Sequence, residues 1–111
     1  MISEAEYEAL AAPELKKLLE ALDTIDSDEL EAELESDILT LEFSDDTRYV
    51  INSHRAARQI WMAAERLAWH FDWDAARRAW IAAKTGDELW QAVSTVIENK
   101  LGQRVELVRS V

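Results

Sequence analysis

The sequence predicts an α+β fold, a two-layer sandwich with two terminal helices packed on one face of an antiparallel sheet. Three observations favour it: a helix-start pattern near each end, short segments between them that alternate apolar and polar residues, and a length of 111 residues. Alternation with period two is typical of strands with one buried face. A chain of this length can form one core, so we expect a single domain over residues 1–111, with the second sheet face open.

The first helix is predicted from a capping box, Ser3-x-x-Glu6, followed by apolar residues at helical spacing. Pro13 interrupts this pattern, and a proline inside a helix removes one hydrogen bond and clashes with the preceding turn. Either the helix kinks at Pro13, or a short first turn ends there and the main helix restarts with Pro13 near its first position. We therefore expect helix over roughly residues 14–24.

The next segment alternates without a break from Glu29 to Glu35, with a glutamate at each odd position. Glu, Leu and Ala favour a helix by propensity. The strict alternation instead favours a strand, with the even-numbered apolar residues buried and the carboxylates in solvent. Four further strands are predicted over residues 38–43, 48–52, 58–62 and 68–71, and a last one over 78–82, with turns at 44–46 and 72–74 and a loop at 53–57.

The second helix is predicted to begin at another capping box, Thr85-Gly86-Asp87-Glu88, and to end at Gly102. Its apolar side would consist of Leu89, Ala92, Val93, Val96, Ile97 and Leu101. Residues 74–84 also have a composition that suits a helix, which is the alternative to a strand there. The tail after Gly102 can add a short extended segment packed against a helix.

The charge of the chain is strongly negative and uneven. The net charge is −11, and residues 1–46 hold 16 acidic residues against two lysines, whereas residues 47–111 hold 7 acidic and 10 basic residues. Eight carboxylates and no base lie between positions 23 and 37. Such a surface favours cations and basic proteins and disfavours nucleic acid and anionic membranes.

Several classes of protein are excluded by composition. There is no cysteine, so disulfides, zinc–thiolate sites and thiol catalysis are absent. No apolar stretch approaches the ~20 residues that span a bilayer, and no signal peptide precedes the first helix. No nucleophile–base pair, glycine-rich phosphate loop or HExxH motif occurs. We expect a cytoplasmic protein that is not an enzyme and has no catalytic residues.

Five short runs, taken in their order and spacing, resemble the frataxin family, and its bacterial members in particular. The runs are Ile38-Leu39-Thr40-Leu41, Tyr49-Val50-Ile51-Asn52, Gln59-Ile60-Trp61, Trp69-His70-Phe71-Asp72 and Trp80-Ile81. The resemblance extends over nearly the whole chain. It is broken after Asn52, where the family usually continues with Lys or Arg, then Gln, and later Pro, while this chain reads Ser53-His54-Arg55-Ala56-Ala57.

The resemblance implies a protein that binds iron and modulates iron–sulfur cluster assembly in the bacterial cytoplasm. It implies that iron is held on an acidic ridge, which corresponds here to Glu20, Asp23, Asp26, Asp28, Glu29, Glu31 and Glu33. It also implies docking of a cysteine desulfurase and its scaffold protein, with Asn52, Gln59 and Trp61 on the exposed sheet face. The protein is expected to be a monomer without metal.

The residues of the ridge limit what it can bind. Carboxylate oxygens suit hard cations such as iron, but strand neighbours at i and i+2 are about 6.6 Å apart, at about 3.3 Å per residue. We therefore predict several weak, partly hydrated iron sites rather than one closed site. Three alternatives stay open: a merely solvated acidic face, a ferroxidase, and an interaction module in which the acids only steer basic partners.

Overall fold

The computed structural model describes residues 2–25 and 27–108. In chain order, the elements of this part are α1 (Glu4–Leu22), β1 (Leu30–Glu35), β2 (Ile38–Phe43), β3 (Arg48–His54), a short 3₁₀ helix η1 (Arg55–Ala57), β4 (Gln59–Ala64), β5 (Leu67–Asp74), β6 (Ala79–Ala82) and α2 (Leu89–Leu101). None of these helices is long and apolar enough to cross a membrane.

The strands form one antiparallel sheet in the order β1-β2-β3-β4-β5-β6, so each strand pairs with its neighbours in sequence. Two connections are loops of two residues, 36–37 and 65–66. Ser36 and Glu65 there adopt positive φ angles of 55° and 56°, a left-handed conformation that such tight loops require. The tight 36–37 loop fixes the register of β1 against β2.

One face of the sheet is covered by both helices, which confirms the predicted two-layer α+β sandwich. The sheet contributes fully or almost fully buried side chains, among them Leu39, Leu41, Ile51, Ile60, Met62, Phe71 and Trp80. The helices contribute Tyr7, Ala11, Leu15 and Leu18 from α1 and Leu89, Val93 and Ile97 from α2. Burying each large apolar side chain contributes about 1.5–3 kcal/mol, so this layer holds the sheet and helices together.

Helix α1 runs unbroken through Pro13, so a restart of the helix at Pro13 is wrong. The capping box at Ser3 is confirmed: its hydroxyl accepts from the backbone N–H of Glu6, and the Glu6 carboxylate accepts from the Ser3 N–H. The Tyr7 hydroxyl donates to the carbonyl of Gln59 at 2.8 Å, which ties the first half of the helix to β4. These contacts hold a helical turn that the proline alone disfavours.

The far end of α1 differs from the predicted boundary at residue 24. The helix ends at Leu22, and the N–H of Asp23 donates to the carbonyl of Leu19. The hydroxyl of Thr24 donates to the carbonyl of Ala21 at 2.6 Å. A threonine that hydrogen-bonds the preceding turn in this way replaces the next helical bond, and the chain leaves the helix.

The predicted turn at 72–74 is wrong, because β5 continues through these residues. The turn follows instead at 75–78, where the carboxylate of Asp74 accepts from the N–H groups of Ala76 and Arg77. Trp73 stays in the strand because its ring packs edge-on against Trp80, with centroids 5.5 Å apart. The strand prediction for 78–82, rather than helix, is confirmed for Ala79–Ala82.

The predicted capping box at Thr85 is also wrong. The N-cap of α2 is Glu88, whose carboxylate accepts from the N–H groups of Trp90 and Gln91. Thr85 accepts from the N–H of Asp87 and belongs to a turn that runs back along β6. Gly102 closes the helix in the left-handed conformation, as predicted.

The loop predicted at 53–57 is partly strand. β3 extends through His54 and η1 follows, with Arg58 in the left-handed conformation at its end. The predicted strand over 58–62 consequently begins at Gln59 and runs on to Ala64. In the tail, Val105 is buried and Leu107 packs against the core. Residues 109–111 lie outside the described residues.

A polar cluster joins the end of α2 to two loops of the sheet. The ammonium of Lys100 donates to Asp45 at 2.6 Å and to Thr47 at 3.0 Å, and lies 3.7 Å from Glu65. Glu65 in turn accepts from the hydroxyl of Tyr49 at 3.0 Å. The hydrogen bond from Lys100 lowers the pKa of Asp45 to about 2, and the same bond raises the pKa of Lys100.

This cluster predicts an acid dependence of stability. A carboxylate whose pKa is lowered by folding stabilises the protein above its unfolded pKa, near 4, and that contribution is lost as the pH falls towards about 2. We expect the melting temperature of the wild type to fall more between pH 5 and pH 2 than that of Asp45→Asn. Thermal melts of both proteins at several pH values measure the difference, and parallel curves would contradict the assignment.

Candidate functional site

The glutamates of β1 project from an extended edge strand, as the alternation predicted. Glu31, Glu33 and Glu35 are exposed, while Leu30, Ala32 and Leu34 between them are partly buried against the core. Glu29 precedes the strand, and its carbonyl accepts from the N–H of Ser44. One side of the strand therefore carries a row of carboxylates in solvent.

Pairing with β2 adds a carboxylate that the sequence reasoning missed. The register places Glu42 directly opposite Glu31, Thr40 opposite Glu33 and Ile38 opposite Glu35. Side chains directly opposite in an antiparallel pair have Cβ atoms about 4.5–5.5 Å apart. Glu42 also pairs with Arg48 of β3, whose Nε lies 3.5 Å from its carboxylate. The register follows from the two-residue loop at 36–37, which is the signal that could have identified Glu42.

Two open cavities flank this pair of strands. The larger, of about 440 Å³, lies between the end of α1 and β1 and is lined by Leu22, Asp23, Ile25, Leu30, Glu31, Ala32, Glu33, Thr40 and Glu42. The smaller, of about 160 Å³, lies at the start of β1 and is lined by Asp28, Glu29, Leu30, Glu31, Glu42, Phe43, Ser44 and Asp46. Glu31 and Glu42 line both cavities and so occupy the centre of the acidic surface.

The structure places the other members of the acidic ridge around this centre. Asp23 caps α1 and lines the larger cavity, whereas Glu20 is exposed on the last turn of α1 and lines neither. Asp28 and Glu29 line the smaller cavity. Asp26 lies outside the described residues. Glu20 and Asp23 are three residues apart on adjoining turns, so their side chains are neighbours.

Among residues 2–25 and 27–108, no three His, Asp or Glu side chains are arranged to hold a single metal ion. The acids are instead spread along two strands and a helix end. A hard cation would contact one or two carboxylates and keep water in its remaining positions. Such an arrangement can attract and hold cations weakly, and it can attract a basic protein surface.

The crowding of acids predicts that partial neutralisation stabilises the fold. The double variant Glu31→Gln/Glu33→Gln should melt about 2–6 °C above the wild type, because like charges on paired strands are destabilising. The control Glu4→Gln/Glu106→Gln removes the same charge from exposed positions that line neither of the two cavities. Thermal melts at low salt test this, and an equal shift in both variants would show that only net charge matters.

The second predicted surface is the open face of the sheet. Asn52 of β3 lies opposite Trp61 of β4, which lies opposite His70 of β5. All three predicted docking residues, Asn52, Gln59 and Trp61, are partly exposed on this face. Trp61 donates its indole N–H to the side-chain oxygen of Gln59 at 2.8 Å, and Gln59 donates to Asp72 at 3.1 Å. Gln59 therefore orients Trp61.

Two histidines contact Trp61, and neither was among the predicted docking residues. The ring of His54 stacks on one side of the indole, with centroids 3.8 Å apart and an interplanar angle of 15°. The ring of His70 stacks on the other side at 4.2 Å and 18°. His70 lies in the strand predicted over 68–71, whereas His54 was predicted in the loop at 53–57. His54 joins the open face because β3 extends two residues further than predicted.

Two helices cover one face of the sheet, Trp61 lies on the open face, and the acidic strands β1 and β2 lie beside it. These features define a class of small α+β proteins with an acidic edge. A family model described as a frataxin-like domain matches residues 1–103. The chain therefore belongs to the frataxin family.

Two named relatives support the assignment of the chain to the frataxin family. The chain is 33% identical over 107 residues to the iron-sulfur cluster assembly protein CyaY of Dechloromonas aromatica, covering 96% of this chain and 99% of that protein. It is 34% identical over 94 residues to the protein of the same name from Thioalkalivibrio sulfidiphilus, covering 84% and 88%. Each of the two relatives is therefore matched over most of its own length.

Solved structures show the same fold. Frataxin from Psychromonas ingrahamii superposes with a TM-score of 0.86 at 24% identity, covering 97% of this chain and all of the other. Yeast frataxin superposes with a TM-score of 0.69 at 24% identity, covering 88% and 82%. The predicted resemblance to the frataxin family is thus confirmed by sequence and by fold.

Proposed function

We propose that this protein binds iron weakly on its acidic ridge and modulates iron–sulfur cluster assembly in the bacterial cytoplasm by docking a cysteine desulfurase and its scaffold protein. The bacterial relatives named as iron-sulfur cluster assembly proteins support the process. The observation that carries the proposal is the adjacency of two surfaces on one sheet: the acids of β1 and β2, and the partly exposed Trp61 on β4.

Iron binding rests on the ligand chemistry of the ridge. Glu31, Glu33 and Glu42 offer only hard carboxylate oxygens, which suit Fe²⁺ and Fe³⁺ better than soft metals. Because the acids are open to solvent, each ion keeps part of its water and is held mainly by charge. Affinity is therefore expected to fall with added salt, since exposed charges are screened.

Docking rests on charge and on one aromatic anchor. The ridge attracts a basic partner surface and speeds its approach. Tryptophan is enriched among the residues that dominate binding energy in interfaces. Trp61 is already oriented by Gln59 and by stacking, so little of its side-chain freedom would be lost on binding.

The proposal is tested by binding to a purified bacterial cysteine desulfurase–scaffold complex. Wild type and Glu4→Gln/Glu106→Gln should bind alike at low salt, and Glu31→Gln/Glu33→Gln should bind at least about tenfold more weakly, as expected for lost contacts between opposite charges. Equal binding by all three proteins would remove the ridge from the interface. No binding by the wild type would overturn the docking proposal.

Repeating the measurement with and without Fe²⁺ separates the remaining alternatives. A purely electrostatic module would bind its partner equally well in both conditions and would bind no iron itself. A ferroxidase would consume oxygen during aerobic addition of Fe²⁺, and Glu31→Gln/Glu33→Gln would slow this. Our proposal expects iron binding by the ridge without ridge-dependent oxygen consumption.

A further inference from the structure

The two imidazoles around Trp61 cover both faces of its ring. The stacking distances of 3.8 and 4.2 Å and the small interplanar angles leave the indole with only its edge open to a partner. The N–H on that ring is held by Gln59. The indole is therefore fixed on three sides, by side chains from β3, β4 and β5.

The side chain of His54 also accepts a hydrogen bond from the backbone. Its Nδ1 accepts a hydrogen bond from the N–H of Ala57 at 3.3 Å and so caps η1. An imidazole can accept at Nδ1 only while that nitrogen is unprotonated. The contact thus requires neutral His54, and a proton on Nδ1 removes the acceptor from the turn beside Trp61.

Charged side chains of both signs lie near His54, Trp61 and His70. Asp72 accepts from Gln59, Lys84 lines the same cavity as His70, and Arg55 pairs with Glu8 of α1 at 3.5 Å. Arg58 follows η1 and donates to the carbonyl of Ile2, and the carbonyl of Asp37 accepts from the N–H of Ser53. Tyr7 of α1 reaches the same part of the sheet, where its hydroxyl donates to the carbonyl of Gln59 at 2.8 Å. Protonation of both imidazoles would add two positive charges to this part of the sheet.

From these contacts we propose that His54 and His70 are positioning residues that clamp Trp61 for docking, and that their protonation weakens the docking. The inference rests on the proposed function, because it concerns the same interface. Histidine changes its charge between about pH 5 and pH 8. A partner with a basic surface that fits the acidic ridge is repelled by imidazolium groups, and the lost cap loosens the turn that carries His54.

The test measures affinity for the purified desulfurase–scaffold complex at pH 8 and pH 6. Wild type should bind about tenfold more weakly at pH 6, as expected for added like charges at a solvated interface. The double variant His54→Phe/His70→Phe keeps flat rings over the indole but has nothing to protonate. Because phenylalanine also lacks the Nδ1 acceptor that caps η1, this variant should bind more weakly than wild type at pH 8, but its affinity should be the same at pH 6 as at pH 8.

The double variant His54→Ala/His70→Ala removes the clamp, so it should bind several-fold more weakly than wild type at pH 8 and show no pH response of its own. Melting temperatures and the NMR spectrum of each variant establish that it is folded. Groups on the partner also titrate between pH 6 and pH 8. Dividing the affinity of each variant by that of wild type at the same pH cancels the partner's contribution.

Four outcomes would overturn all or part of the inference. If the affinity of the phenylalanine variant falls between pH 8 and pH 6 as steeply as that of wild type, the titrating group lies elsewhere. An alanine variant that binds like wild type would show that the clamp does not position Trp61. If wild type fails to bind at both pH values, the proposed docking itself is overturned. If wild type binds equally well at both pH values, only the role of the histidines is overturned.

Discussion

Replacing Trp61 with alanine is expected to weaken binding of the desulfurase–scaffold complex by about 30-fold or more, the size typical of a central interface residue. The change removes an aromatic ring that is held ready by Gln59, His54 and His70. It also leaves both imidazoles without a stacking partner, so the loss includes the order of the surrounding face. Equilibrium binding of the purified proteins measures the effect.

The control for this prediction is Trp61→Phe, which keeps a flat ring but loses the indole N–H that Gln59 accepts. It should retain most of the affinity. Because Trp61 is on the open face and not in the core, both variants should remain folded. Binding by Trp61→Ala at wild-type strength would show that the open face does not contact the partner.

Replacing Trp80 with alanine is expected to cost about 3–5 kcal/mol of the free energy of unfolding, as for other buried aromatic side chains. Trp80 is fully buried on β6 and lies edge-on to Tyr7, with centroids 6.0 Å apart, and to Trp73. Its removal opens a cavity between the sheet and α1. Natural domains of this kind are stable by about 5–15 kcal/mol, so much of the fold's stability would be lost.

Two further variants test whether the loss in free energy of unfolding comes from the burial of Trp80 or from the loss of any tryptophan. Trp80→Phe keeps a ring in contact with Tyr7 and should cost clearly less than Trp80→Ala. Trp69→Ala makes the same chemical change at a partly exposed site, where the indole donates to exposed Asp87, and should also cost less. Urea unfolding gives all three values. Equal costs for Trp80→Ala and Trp69→Ala would contradict the burial assigned to Trp80.

The sequence could predict the fold because its strongest patterns are local. The alternation around Glu31 and Glu33 and the capping box at Ser3 each depend on a few neighbouring residues, and the structure confirms both. The boundaries that were wrong depend on side chains that bind nearby backbone groups. Asp74 and Glu88 are such cases, since each accepts from two N–H groups that a pattern of polarity does not reveal.

The candidate site could be predicted only along single strands. Glu31 and Glu33 follow from the alternation, and the position of Trp61 on the open face follows in the same way. The pairing of Glu31 with Glu42 requires the register across a two-residue loop. The stacking of His54 and His70 on Trp61 requires three strands in register, which no local pattern encodes. Metal binding by the ridge stays a prediction.

The most direct test of the central claim is an anaerobic titration of Fe²⁺ into the protein, followed by amide NMR signals. We predict gradual paramagnetic broadening, without saturation at one equivalent, centred on β1 and β2. Broadening should be much reduced in Glu31→Gln/Glu33→Gln and unchanged in Glu4→Gln/Glu106→Gln. A single tight site that saturates at one equivalent, or broadening that the ridge variant leaves unchanged, would contradict a weak iron surface at this acidic edge.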